Sequence, residues 1–144
     1  MTFVFDLDGT LCFNDEPISY EIHQELKSLK EENLEVIFAS ARPIRDMLPV
    51  IHEDFHQHIL IGGNGSLISR KGKVRIVKSF SKDELNKILA LIEKYEATYL
   101  IDSKWDYAYT GSNNHPILKN LDVDKLANQV NLDELNEIVK ILIL

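Results

Sequence analysis

Hydrophobic positions recur along this chain at two spacings, and their order predicts an opening β-α-β unit. Val4, Phe5 and Leu7 form a short apolar run from about Thr2, and Gly9 beside Thr10 signals a turn, so the first element reads as a strand. From Ser19 to about Glu32, Ile22, Leu26 and Leu29 recur at helical spacing, with Ser19 placed as N-cap and Glu21 in the first turn. Asn33 closes that helix. Leu34 to Ala39 then reads as a second strand, for which a right-handed crossover and parallel pairing are expected. Pro43 to about Phe55 predicts a second helix with Met47, Leu48 and Ile51 on its apolar face, kinked or stopped early by Pro49. A third strand over about His58 to Ile61 runs into the glycine-rich stretch Gly62-Gly63-Asn64-Gly65.

The second half has a different order of elements. Leu67 to Lys78 reads as a hairpin with Lys71-Gly72 at its centre, and Ser81 with Glu84 forms a capping box. The helix it opens carries Leu85, Ile88, Leu89 and Ile92 on one face and runs to about Tyr95. Thr98 to Thr110, carrying Trp105, Tyr107 and Tyr109, alternates apolar and polar residues as a half-buried antiparallel sheet does. A loop through Gly111 and Pro116, mixed helical material over about Val123 to Val130, and a buried strand over Ile138 to Leu144 complete the expectation. The fold class is therefore α/β, with a partial Rossmann-like parallel sheet and its hairpin over 1–78.

Candidate chemistry sits where the strands end. Asp6 and Asp8 share a face of an extended segment, so both carboxylates can converge on one point beyond the strand's carboxyl end, where ligands bind in open α/β sheets. Two hard oxygen ligands so placed suit Mg²⁺, which takes one or two carboxylates, waters and a substrate phosphate. One Asp can act as nucleophile and the other can handle protons. Taken alone, Asp-x-Asp reads as a solvated turn after a strand. Ser40 and Arg42 follow the second strand at the same edge, and both side chains can contact phosphate oxygens, the guanidinium in bidentate fashion. Ser40 also reads as an N-cap ahead of a helix opened by Pro43, and the two roles are compatible.

The whole string Phe3-Val4-Phe5-Asp6-Leu7-Asp8-Gly9-Thr10-Leu11 resembles the first motif of the haloacid dehalogenase-like phosphohydrolases. Ser40-Ala41-Arg42-Pro43 is similar to the second motif, written Thr-Gly-Arg-Pro in the Cof-type branch, and Asn64-Gly65-Ser66 is similar to that branch's Asn-Gly-Ala segment. The resemblance implies a phosphatase of small phosphorylated metabolites that works through an aspartyl phosphate on Asp6, with Asp8 as acid and base. It implies Mg²⁺ held by Asp6 and Asp8, and phosphate or substrate bound by Gly9, Thr10, Ser40, Arg42 and Asn64. It also makes 79–144 part of an α/β cap, in which Trp105, Tyr107 and Tyr109 form the cap's own core or line a substrate pocket.

Composition narrows the alternatives. With 44% apolar and 27% charged residues among 144, a globular protein of one domain, or of two incomplete ones, is expected. A net charge of −7 removes the electrostatic footprint of a nucleic-acid binder but remains compatible with a small phosphate ester held through a metal. No basic leader and no apolar run of the ~18 residues a membrane span needs is present, so a cytoplasmic protein without a membrane partner is expected. Cys12, the single cysteine, cannot form an internal disulfide and reads as a small packing residue. His52 and His56 have the i, i+4 spacing of a zinc pair but no evident third ligand. A phospho-receiver domain needs an acceptor Asp ending the third strand, where this chain has Ile61-Gly62-Gly63.

Relatives with these motifs also carry a catalytic Lys and a Gly-Asp-x-x-Asn-Asp segment, and neither is found here. Lys140 lies in the expected cap strand, and Asp122 with Asp124 lacks the Gly-Asp context. The chain is therefore expected to correspond to the N-terminal portion of a Cof-type phosphatase. Its first strand is expected to be an apolar edge open to a second copy, and its site to lack two parts on which phosphoryl transfer depends. A non-catalytic fragment that binds phosphate or a partner chain, and a phosphomutase of the same superfamily, are the competing functions.

Overall fold

Strands β1 (Thr2–Asp6), β2 (Glu35–Ala39) and β3 (Ile59–Gly62) run parallel in the computed structural model, which describes residues 1–144. Helix α1 (Tyr20–Glu31) makes the first crossover; Ser19 caps it by accepting from the Ile22 N–H, and Asn33 ends it at φ 59°. Beyond β3 the chain reverses into the hairpin of β4 (Leu67–Arg70) and β5 (Lys73–Ile76), completing the sheet order β1-β2-β3-β4-β5. Its two-residue turn, Lys71 and Gly72, has positive φ at both positions, the primed geometry that follows strand twist. Val36, Phe38 and Leu60 of the central strands are fully buried against Leu26 of α1 and Phe55. Cys12 is buried in the same cluster, and burial raises its thiol pKa, which fits a packing role. β1 has β2 on one side only, and its Val4 is 59% exposed, the bare edge expected from the sequence.

Two expected elements differ. The helix foreseen over Pro43 to Phe55 is only α2 (Ile44–Met47), followed by 3₁₀ turns at Leu48–Val50 and Glu53–Phe55 with extended Ile51 between them. Pro49, lacking an N–H, falls in the first of those turns, so the interruption is complete rather than a kink. No helix forms over 123–130. There the buried Asp122 carboxylate accepts from the Leu126 and Ala127 N–H groups, which folds the segment into a turn instead of a helix.

The second sheet has the order β7-β6-β8, from β6 (Tyr99–Asp102), β7 (Tyr107–Tyr109) and β8 (Lys140–Ile143), all antiparallel. Helix α3 (Lys82–Lys94), opened by the Ser81–Glu84 capping box, packs Ile92 against Ile101 and Ile138. β8 forms where the terminal apolar run predicts it, but it is half-buried rather than buried. Tyr107 is buried with Leu100 and Leu121, and Tyr109 packs on them, so these two form the sheet's own core, whereas Trp105 donates to the Leu126 carbonyl and packs against the core of the first sheet. No helix is long and apolar enough to cross a membrane.

One buried guanidinium joins the two sheets. Arg45 of α2 reaches Asp102 of β6 at 2.5 Å, the Trp105 carbonyl at 2.6 Å and Asp46 at 3.3 Å, and lies 4.8 Å from the Tyr107 ring. Burial opposes the Arg45 charge, but Asp102 and then Asp46 outweigh it and raise the pKa. Removing one partner of a buried pair leaves an uncompensated charge, at a typical cost of about 3–5 kcal/mol, whereas replacing both partners with apolar residues is often near neutral. Arg45→Met is therefore expected to lower stability in urea unfolding by about that amount, and Arg45→Met with Asp102→Leu to recover most of it.

Candidate active site

The three parallel strands end level. Asp6 is in register with Ala39 and Ala39 with Ile61, so the loops that follow leave from one edge of the sheet. After β1 the Leu7 carbonyl accepts from the N–H groups of Thr10, Leu11 and Cys12 at 3.2, 2.9 and 2.8 Å, while the Gly9 N–H reaches the Cys12 carbonyl. This turn, with Gly9 at φ 81°, leaves Asp8, Gly9 and Thr10 exposed at the edge.

The second loop closes on the first. Arg42 grips the Asp8 carboxylate from two nitrogens, Nη2 to Oδ1 at 2.6 Å and Nε to Oδ2 at 3.0 Å, and Ser40 Oγ donates to it at 3.4 Å. Ser40 Oγ also accepts from the Arg42 N–H at 3.0 Å, so the hydroxyl orders its own loop rather than capping α2. The Arg42 hydrogen bond holds the Asp8 carboxyl below the usual carboxylate range, against a smaller opposing effect of burial. Asp6 stands outside the clamp, since the guanidinium's contacts fall on Asp8 and on the Asp46 carbonyl.

The third loop docks by backbone alone. The Gly63 N–H donates to the Arg42 carbonyl at 2.8 Å and the Asn64 N–H to the Ser40 carbonyl at 3.3 Å. Gly62 permits this approach, because a Cβ there would stand 2.8 Å from the Arg42 carbonyl oxygen and 2.9 Å from Ile44 Cδ1. Asn64, at φ 56°, stands exposed beside a cleft of about 480 Å³ between this loop and β8.

The seven candidate site residues thus lie at this edge, Asp6 as the last residue of β1 and the others on the three loops that leave it, and Asp8, Ser40 and Arg42 are in direct contact. Arg42, expected on phosphate, is here on Asp8. Lys140, left without a role in the sequence, projects from β8 over the second loop, its Nζ donating to the Ala41 carbonyl at 2.7 Å. Burial lowers its pKa, opposed by Asp102 and Asp46, and its charge adds to the lowering at Asp8. No local signal could identify it, because its partner is 99 residues away. Asp122 has a structural task, its N–H donating to the buried Asp46 carboxylate at 2.8 Å.

A parallel sheet that gathers an acidic pair, a hydroxyl and a guanidinium at its carboxyl edge has them where open α/β sheets bind their ligands. The sequence profile of the haloacid dehalogenase-like hydrolases matches residues 3–144, and the chain belongs to that family. It is 34% identical over 102 residues to the HMP-PP phosphatase of Klebsiella pneumoniae (strain 342), covering 71% of this chain and 34% of that protein. Its fold is similar to a haloacid dehalogenase-like hydrolase from Bacteroides thetaiotaomicron (TM-score 0.78, 18% identity, 99% of this chain and 57% of that one). It is also similar to a subclass IIB sugar phosphatase of the same superfamily (TM-score 0.74, 17% identity, 97% of this chain and 56% of that one). The chain thus spans about a third of the curated relative and just over half of these two structures.

Because Arg42 depresses the Asp8 pKa, the stability this carboxylate contributes is present above its unfolded pKa and lost as pH falls through the lower folded value. Arg42→Gln is expected to move the Asp8 titration upward in carboxyl-detected NMR, with the acid limb of the stability profile moving to higher pH.

Proposed function

We propose that the site carries out phosphoryl transfer from small phosphorylated metabolites to water, as the N-terminal part of a Mg²⁺-dependent phosphohydrolase. The observation that carries this is the convergence of the Asp6–Asp8 turn with the Ser40–Arg42 loop at one sheet edge. The likeness to the Klebsiella phosphatase supports it.

Asp6, exposed at the strand tip and free of the guanidinium, is the nucleophile: its carboxylate attacks phosphorus, the bond to the leaving oxygen breaks, and an aspartyl phosphate forms. Asp8 gives a proton to the leaving oxygen and later takes one from the attacking water. Ser40 is positioned to donate to a phosphoryl oxygen. An incoming phosphate competes with Asp8 for Arg42; as the guanidinium turns to the phosphate, the constraint that lowers the Asp8 pKa is relieved and a proton becomes easier to hold. Lys140 brings positive charge to the same loop, and the cleft beside Asn64 is the place for the leaving group.

The donor set fits Mg²⁺. Asp6 through its carboxylate and Asp8 through its backbone carbonyl would hold the ion, leaving the Asp8 carboxylate to Arg42, and when bound the ion would offset phosphate charge. The 1–78 segment then acts as catalytic core and 79–144 as part of a substrate-selecting cap.

The Asp8–Arg42 clamp also favours a second function, phosphate binding without turnover, because a carboxylate held below its ordinary pKa is a poor proton donor at rest. Phosphate release from p-nitrophenyl phosphate with Mg²⁺ separates the two. Turnover is expected to vanish in Asp6→Asn and to fall by on the order of 10²-fold in Ser40→Ala. No release above the Asp6→Asn control, with inorganic phosphate still bound, selects the non-catalytic function.

A further inference from the structure

A second cluster of ligating side chains lies outside the phosphoryl site and shares no residue with it. His23 projects from α1, and His52 and Asp54 come from the segment that follows the broken helix. Asp54 Oδ2 lies 3.3 Å from His23 Nε2 and 3.4 Å from His52 Nδ1, and the three ligand atoms lie within 4.8 Å of one another. The His23 and His52 rings are 4.0 Å apart between centroids, and Phe55 meets the His23 ring edge-on at 5.7 Å. His56, the partner that sequence spacing offered to His52, is committed elsewhere: its Nε2 contacts the Leu48 and Ile51 carbonyls at 3.0 and 2.7 Å.

The separations bear on two accounts of the cluster. A charge-assisted hydrogen bond between imidazolium and carboxylate closes to about 2.7–2.9 Å. A tetrahedral zinc with bonds of about 2.0–2.1 Å sets its ligand atoms about 3.4 Å apart. Both Asp54 contacts, at 3.3 and 3.4 Å, lie nearer the second spacing, and the remaining pair of ligand atoms lies within 4.8 Å. Two imidazoles and one carboxylate form a donor set that suits zinc and its neighbours in the transition series rather than Mg²⁺. The His23 side chain is 8% exposed while those of His52 and Asp54 are 50% and 41% exposed, so the site has a fixed inner ligand and an open outer face.

We propose that His23, His52 and Asp54 form a binding site for a divalent transition-metal ion of the zinc type, with water completing its coordination. On binding, His52 Nδ1 exchanges a long hydrogen bond from the Asp54 N–H, 3.3 Å, for the metal. The ion pins the start of α1 to the segment entering β3, near the point where the Ile18 N–H already donates to the Val50 carbonyl at 2.9 Å. An ion bound only by the native state adds stability that grows with its concentration.

The test is calorimetric titration of the tag-free chain with zinc chloride, paired with visible absorption on Co²⁺ addition. One equivalent per chain is expected, together with the Co²⁺ absorption of a four-coordinate site and a rise in melting temperature with zinc. Losing even an outer partner of a metal ligand costs about 10–100-fold in affinity, so His52→Gln and Asp54→Asn are each expected to weaken binding by about tenfold or more. Asp6→Asn is expected to leave it unchanged. Absence of zinc binding, binding that survives in the His52→Gln/Asp54→Asn double variant, or binding lost in Asp6→Asn would overturn the proposal.

Discussion

The Arg45 guanidinium is the constraint on which the relation between the two sheets depends. It is 1% exposed, and Asp102, its closest ionic partner, is completely buried. Such pairs contribute little net stability, because desolvating two charges cancels most of their attraction. What they provide is direction: a second sheet placed differently would strand both charges in an apolar interior. Even here the match is incomplete, since Arg45 Nε and Asp102 Oδ2 have no partner. Asp46 extends the network to the Asp122 N–H, and Asp122 in turn orders the backbone at Leu126 and Ala127. A chain of contacts thus runs from α2 through three separate parts of the second half.

The candidate active site depends on this arrangement. β8 lies beside β6, and only with β6 held by Arg45 does Lys140 arrive over the Ser40–Arg42 loop. That loop also has an internal economy of charge. Arg42 and Lys140 surround an exposed acidic pair, yet only Asp8 is engaged by the guanidinium. The two aspartates of one motif therefore occupy unlike electrostatic settings two residues apart, which is the condition for assigning them different chemical tasks.

Local interactions were the legible part of the sequence. The Ser19 cap, the Ser81–Glu84 box, the Lys71-Gly72 turn and the antiparallel pairing of β6 with β7 all arise between residues close in the chain, and each formed as predicted, although β6 and β7 are buried on consecutive residues rather than on alternate ones. The edge position of Asp6, Ser40 and Asn64 was legible too, because β-α-β topology places successive loops together. Contacts between distant residues left no comparable signal. Arg45 and Asp102 are 57 residues apart, and Lys140 with Ala41 are 99 apart. His52 offered an attractive local partner in His56, but the chain leaves helical geometry at Ile51, so the i, i+4 relation was lost and α1 supplied His23 instead. Residues 123–130 hold enough apolar positions to suggest a helix, but a buried carboxylate from Asp122 captured their N–H groups first.

Arg42 and Arg45 bracket the start of α2, and Arg42 Nη1 also reaches the Asp46 carbonyl at 3.4 Å. The residue that clamps Asp8 and the residue that anchors the other sheet are thus less than one helical turn apart, at the start of a short buried helix. In mechanical terms α2 is a short lever with a load at each end. Any displacement of the second sheet would load Arg45, three residues from Arg42 on the same stub. The contact that holds Asp8 and the contact that holds the second sheet thus share one short segment of chain.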